Sequence, residues 1–318
     1  MATLDTAPAT PSSALRDVLS QVDPKRRRKD RVMQVLVYGA FVLAMIPLVS
    51  LVWSVISKGI GRFDLYFLTH SMRNVYGGMD AGGVYHALLG TILITLLTAV
   101  ISVPIGIVTA VYLVEYGKGS LARAVTFFVD VMTGIPSIVA GLFAFSLFYL
   151  VVGPQSKSGL VGAVALSVLM IPVVIRSTEE MLRLVPNELR EASYALGVSK
   201  WLTIIRVVLR TAVAGITTGV MIAVSRVIGE TAPLLITVGA TDSINDDVFH
   251  GNMMTLPVYV YRQYAAGLVP CAPGDDACIP TINYDRAWSA ALVLILVVML
   301  LNLVARGVSR WFAPKTRA

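Results

Sequence analysis

The chain carries six apolar runs, at 32–57, 86–114, 124–151, 159–175, 211–240 and 284–305. A helix that crosses a bilayer needs about 20 mostly apolar residues, and all runs but the short fourth reach that length. Inside lipid every backbone N–H and C=O must find its partner within the protein, so only helices and closed barrels span. No run alternates with period two, so a barrel is not indicated. The expected fold is all-α, a polytopic membrane protein of six transmembrane helices. The charge content agrees, at 14% of residues against about 25% in soluble domains.

Lysine and arginine orient the spans. With the N-terminus in the cytoplasm, the inner segments hold eighteen basic residues and the outer segments five, the asymmetry expected of a chain with both termini inside. The net charge of +7 is thereby a matter of topology. No basic region interleaved with aromatic residues points to nucleic acid. Residues 1–31 are polar and end in PKRRRKDR, which reads as a disordered basic tail. The run 32–57 exceeds the 7–15 residues or so of a signal-peptide core, so it is expected to stay in the membrane. The division is therefore a tail to 31, a membrane domain over 32–305 and a second cytoplasmic tail over 306–318. The membrane domain includes a long inner segment at 176–210 and an outer loop at 241–283.

Four spans carry breaks: Pro104, the pair Gly134 and Pro136, Pro172, and Pro233. Proline removes a helix hydrogen bond, and in lipid the freed carbonyls need protein or a wet cavity. The outer loop holds the only two cysteines, Cys271 and Cys278, in CAPGDDAC. They form either a disulfide facing an oxidising compartment or two free thiols. Without a nearby histidine they make a poor metal site. His70, His86 and His250 are scattered and read as loop or interfacial residues.

The fifth run contains AVSRVIGETAPLL, with Arg226 and Glu230 one turn apart. An arginine at the bilayer centre costs about 2.5–3.5 kcal/mol on an insertion scale. A span starting near 211 would put Arg226 about 22 Å along its axis, awkward for snorkelling. Two readings stand. The residues neutralise each other at i, i+4, or Arg226 binds an anion in a path through the membrane. A guanidinium fork matches two phosphate oxygens at once. Glu230 would then accept a hydrogen bond from a protonated oxyanion, or compete for Arg226 and loosen the anion. Thr231 and Ser137, beside the two breaks, are further path candidates. Arg176, at the inner end of the fourth run, is either on the route or an ordinary positive-inside anchor. Asp130 and Thr133 are expected to pair with neighbours or bond back to the helix.

The inner segment is amphipathic. A short helix is expected over 188–196, with Asn187 as its N-cap, a turn at Gly197, and Ser199 capping a second helix that leads into the fifth span. Ala192, Ser193 and Ala195 are small enough for another chain to approach closely. The alternative is a helix lying on lipid headgroups.

This segment resembles the cytoplasmic motif E-A-A-x3-G-x9-I-x-L-P of ABC importer membrane subunits. Here Glu191-Ala192-Ser193 is followed by Leu196 and Gly197, then Val207 and Leu209, with Arg210 in place of the proline. The stretches 82–117, GIPSIVAGLF, IPVVIRSTEEMLRLVP and SRVIGETAPLL are similar to the phosphate-specific, PstA-type branch of that family. The resemblance covers most of 82–260 and implies a type I ABC importer permease in the cell membrane. It implies four kinds of company: a homologous second permease, two ATPase subunits, an extracytoplasmic phosphate-binding protein, and lipid. It also implies that Glu191, Ala192, Ser193, Leu196 and Gly197 dock the ATPase. The sequence has no G-x4-G-K-[ST] loop, so ATP is expected on the partner and no cofactor on this chain. No nucleophile, metal cluster or acid–base pair suggests an enzyme. Two rivals are a permease for another oxyanion, such as sulfate or molybdate, and a secondary transporter or channel working without ATP. The latter expects internal symmetry between halves, which the sequence does not clearly display.

Overall fold

The computed structural model describes residues 24–154 and 156–312. All regular elements among them are helical, apart from an isolated bridge between Met79 and Cys278. The chain divides into two units, one ending at Ser54 and one beginning at Val55.

Helix α1 (Pro24–Gly59) supplies the described part of the first unit. Within this unit its apolar side chains, Val35, Tyr38, Phe41 and Ile46 among them, are exposed around the circumference. A helix apolar on every side suits lipid. The stretch PKRRRKDR, expected to be disordered, is the first part of this helix. Arginine and lysine are good helix formers, and they lead straight into the apolar run. Residues 1–23 and 313–318 of the expected tails lie outside the described residues.

The second unit contains α2 (Leu65–Thr69), α3 (Tyr85–Val111), α4 (Gly119–Thr133), α5 (Ser137–Val152) and α6 (Gly159–Arg183). These are followed by α7 (Asn187–Ala195), α8 (Lys200–Thr203), α9 (Leu209–Ile228), α10 (Ala232–Thr237), α11 (Leu256–Ala266) and α12 (Ile282–Phe312). A π turn extends α3 through Tyr112–Tyr116, and another joins α8 to α9 through Ile204–Val208. Five helices are long and apolar enough to span: α1, α3, α6, the continuous α8–α9, and α12. The third apolar run is not a straight span. It is the pair α4 and α5, bent by 108° where Gly134, Ile135 and Pro136 interrupt the helix.

The core is built on α3, α6 and α9. Helices α3 and α6 run parallel: Thr98 Oγ1 approaches Ala163 O at 3.5 Å, and two turns on Gly106 lies against Val174. Small residues on this seam, among them Ala163 and Gly106, let the backbones meet, the usual packing device where lipid supplies no hydrophobic drive. Buried hydroxyls of Thr91, Thr98 and Ser167 bond back to the carbonyl four residues earlier, so they carry no unmet need into the apolar core. Helix α9 crosses α6 antiparallel, with Gly219 on Ser177 and Gly215 on Met181. Leu166, Met170, Val224 and Val227 fill the space between.

Boundaries of α6, α8–α9 and α10 differ from the apolar pattern. Helix α6 continues past Ile175 to Arg183, because its polar turns are held by ion pairs at i, i+3 and i, i+4. Helix α8–α9 begins at Lys200, and the fifth span breaks after Ile228, at Gly229. Pro233 starts a new short helix, α10, rather than kinking a long one. This fits its fixed φ and missing N–H.

At the far end from α7, Arg286 is buried and donates to the carbonyls of Met79 and Ala81 at 2.8 Å. Cys271 and Cys278 are joined by a disulfide, with Cα atoms 5.8 Å apart. Ile279 N beside it donates to Gly78 O at 2.9 Å, tying this loop to the one before α3. His86, expected at a loop or interface, is buried edge-on to Tyr259, ring centroids 5.6 Å apart.

Candidate functional site

The last turn of α9 presents Arg226. The side chain is exposed and, among the described residues, makes no hydrogen bond or ion pair. Glu230 is half-buried, and its carboxylate is likewise unpaired. The pairing of these two at i, i+4 therefore does not form. The physical reason is the break: Glu230 N still bonds to Val227 O at 3.1 Å, but helical geometry has ended at Ile228. A cation in the last helical turn faces the negative end of the helix dipole, which favours it by some tenths of a kcal/mol to about 1 kcal/mol.

The depth of Arg226 follows from register. Gly219 meets Ser177 on antiparallel α6, so Arg226, seven residues on, lies level with Met170. Met170 is about 16 Å from the start of α6 at 1.5 Å per residue. Arg226 is thus well inside the apolar slab although α9 ends close by. Its face of α9 also shows Thr218 and Ile222, both exposed.

The two interrupted spans meet here. Helix α5 follows the Gly134–Pro136 break and begins with Ser137, while α10 follows the Gly229–Thr231 break. They pack through Gly141, where a Cβ would sit 2.6 Å from Pro233 Cα. Each has the other, rather than lipid, beside its backbone just after a break. Ser137 and Thr231 are both half-buried at these starts.

Arg176 stands apart from Arg226. It is held by Asp130 of α4, by a close contact, and by Glu179 Oε2 at 2.9 Å. Glu179 also takes Arg183 at 2.6 Å through its other oxygen. By the same register Arg176 lies roughly 9 Å nearer the α7 end than Arg226. Thr133, next to the break, bonds back to Val129 O at 2.8 Å.

In the inner segment, α7 begins at Asn187, which is inside the helix and not its cap; Pro186 takes the cap position without a side-chain bond. The end is a Schellman turn: Val198 N bonds to Ser193 O at 3.2 Å and Gly197 N to Tyr194 O at 2.9 Å. The geometry requires a left-handed residue there, and Gly197 has φ +78°. Ser199 precedes α8 without a side-chain cap. Glu191, Ala192, Leu196 and Gly197 are exposed, Leu196 at 84%. Ser193 is not on that face. It is buried and shares a hydrogen bond of 2.8 Å with Thr203, fastening α7 to α8.

One constellation escaped the sequence reading. Arg190 of α7 bonds Glu115 Oε1 through two nitrogens, at 2.9 and 3.1 Å, where the side chains are 13% and 6% exposed. The same guanidinium donates to Val185 O at 2.6 Å and Leu182 O at 3.0 Å. Lys200 donates to Glu115 O in a close contact, its ammonium 4.5 Å from the Tyr116 ring centroid. Glu115 and Arg190 are 75 residues apart in sequence, so no local pattern announces them. No group of His, Cys, Asp and Glu among the described residues is placed to hold a metal ion.

The fold and these features belong to a known class. Residues 102–318 match the family of binding-protein-dependent transport system inner membrane components. Among solved structures, a bacterial alginate ABC transporter superposes with TM-score 0.62 at 14% identity, over 90% of this chain and 96% of that one. The methionine transporter MetNI in an inward-facing form superposes with TM-score 0.53 at 20% identity, over 73% and 95%. The architecture is that of a type I ABC importer permease, a multi-pass membrane protein.

Among curated relatives, the phosphate transport system permease protein PstA 1 of Mycobacterium tuberculosis H37Rv is 49% identical over 296 residues, 92% of this chain and 91% of the relative. The PstA of Mycobacterium leprae is 47% identical, covering 90% of both chains. That of Yersinia pestis is 37% identical, covering 91% and 92%. The chain belongs to the PstA family of transport system permease proteins, and it is a transport component rather than an enzyme.

Proposed function

We propose that this chain is one of two membrane halves of an ATP-driven importer of inorganic phosphate. Both termini face the cytoplasm, as the lysine and arginine count supports. The second permease half covers the exposed face of α9 and closes a path around Arg226. An extracytoplasmic phosphate-binding protein delivers the anion at the disulfide end. Two ATPase subunits bind ATP; one of them docks on the exposed side of α7.

The observation that carries this reading is Arg226 itself. It is unpaired among the described residues, deep along the spans, and on a face of α9 that it shares with the exposed Thr218 and Ile222. Leaving such a charge against lipid is costly, and a water-accessible lumen removes that penalty. Phosphate meets the guanidinium with two parallel hydrogen bonds. Glu230 stands one turn on, unpaired, and accepts a hydrogen bond from the P–OH of protonated phosphate, a proton that sulfate lacks at neutral pH. The carboxylate also keeps the site from holding the anion too tightly, since a passing ion must leave as well as bind. Arg176, spoken for by Asp130 and Glu179, becomes available when α4 moves relative to α6. Ser137 and Thr231 offer hydroxyls at the two breaks.

ATP binding closes the ATPase pair, α7 follows, and the spans reopen toward the binding protein; hydrolysis resets them. The test is phosphate uptake by the reconstituted complex carrying Arg226→Gln. Assembly with the ATPase is expected to survive and uptake to fall to background. Uptake at the normal rate in an assembled variant contradicts the proposal. Failure of excess sulfate or molybdate to compete with labelled phosphate is the expected result for a phosphate path.

A further inference from the structure

Arg190 is a junction. Its guanidinium reaches the end of α3 through Glu115 and the end of α6 through the carbonyls of Leu182 and Val185. It belongs to α7, the helix whose outer side carries the exposed Leu189, Ala192 and Leu196. Lys200, the first residue of α8, closes on the same Glu115 from the α9 side. Helices α3, α6, α7 and α8 are therefore linked through Glu115 and Arg190.

We infer that the Arg190–Glu115 pair is the strut that carries displacement of α7 into the membrane helices. The inference rests on the proposed ATPase docking at α7 and adds the route beyond it. Three features carry it. The pair is shielded, so water screens it little and its geometry is held by six acceptor contacts, including Asn187 Oδ1 at 3.4 Å and Pro186 O at 3.5 Å. It is bidentate in the sense that two nitrogens grip one oxygen; a planar fork fixes direction as well as distance, which a lysine cannot do. And the two spans it feeds, α3 and α6, pack closely along a shared seam, with Gly106 on Val174, so a push on their ends moves them as a body. Compliance lies in the two π turns, Tyr112–Tyr116, which holds Glu115 itself, and Ile204–Val208, which leads from α8 into α9. Such turns are wider and rarer than α-helix and recur at functional sites.

Arg190 and Glu115 are positioning residues here; neither touches the anion. The readout is phosphate transported per ATP hydrolysed, which a merely stabilising contact leaves alone. The protein used is the full complex in proteoliposomes. Glu115→Gln keeps the shape of the side chain and removes its charge. The expected result is a normal complement of ATPase subunit, continued ATP hydrolysis, and a fall of about tenfold or more in phosphate moved per ATP. Arg190→Lys keeps a charge opposite Glu115 and gives up the fork; it is expected to lower the ratio by about threefold or more, and it decides the matter if Glu115→Gln does not fold. A ratio within about twofold of wild type in a folded variant overturns the inference. So does selective loss of the ATPase from the complex, which would make the pair a support for docking and not a transmission element. Absence of any ATPase from the wild-type complex would instead sink the proposed function, and this inference with it.

Discussion

Gly141 tests whether the two breaks act together. An alanine there would place its Cβ 2.6 Å from Pro233 Cα, 3.0 Å from Pro233 Cβ and 3.1 Å from Pro233 O. Carbon atoms rest at about 3.5–4.0 Å, so α5 and α10 must separate by roughly 1 Å. Two of the three obstructing atoms are backbone, so no rotamer change relieves the clash. Overpacking of this kind costs typically 1–3 kcal/mol. Helix α10 would move with Pro233, and Glu230 is three residues away on the same break. A displacement of about 1 Å at a positioned group can lower a rate by some hundredfold. Gly141→Ala is therefore expected to lower the thermal midpoint of the purified complex and to cut phosphate uptake by about 10- to 100-fold. Gly134→Ala is the control. Its Cβ would meet only Val131 O, at 3.5 Å, so it fits and should leave uptake near wild type. Normal uptake and an unchanged midpoint for Gly141→Ala would refute the coupling of the two breaks.

Further expectations concern other parts of the chain. Gly197→Val forces a branched side chain to φ +78° with open space around its Cβ, so the strain of roughly 1–3 kcal/mol is purely backbone; coupled ATPase activity should fall, and a normal value would show that the Schellman turn is dispensable. Tyr259 has a buried hydroxyl with no hydrogen-bond partner among the described residues, and burial pushes its pKa up. Tyr259→Phe should accordingly be neutral or stabilising by about 1 kcal/mol in thermal unfolding, and a clear loss would reveal a partner for the hydroxyl. Reducing Cys271–Cys278 releases a loop whose closure contributes roughly 2.5 kcal/mol in the chain-entropy picture. A membrane-impermeant maleimide should then label both thiols in intact cells; labelling only after the membrane is opened would reverse the assigned orientation.

The apolar runs marked the spans because burial in lipid selects on composition, and composition can be read residue by residue. Helix ends were read less well, since apolarity is not what ends a helix. Arg176, Glu179 and Arg183 keep α6 helical past its apolar stretch through their own ion pairs. Gly229 ends α9 inside a run that stays apolar on both sides. Pro233 was visible, but a proline that kinks a helix and one that starts a new helix look alike in one dimension. Arg226 stood out because a charge in an apolar run is rare. Its lack of a partner did not, because pairing depends on geometry that the break removes. Asp130 and Glu115, partners of Arg176 and Arg190, lie 46 and 75 residues away, and only the packing of α4 on α6 and of α7 on the end of α3 brings them together.

Both cysteines of the chain are tied up in the disulfide, so a single cysteine at position 226 reports on that position alone. Arg226→Cys in the assembled complex should react quickly with a charged, water-soluble thiosulfonate. A thiol that ignores the aqueous reagent and reacts only with a lipid-soluble one would mean the guanidinium faces hydrocarbon, and no anion passes there.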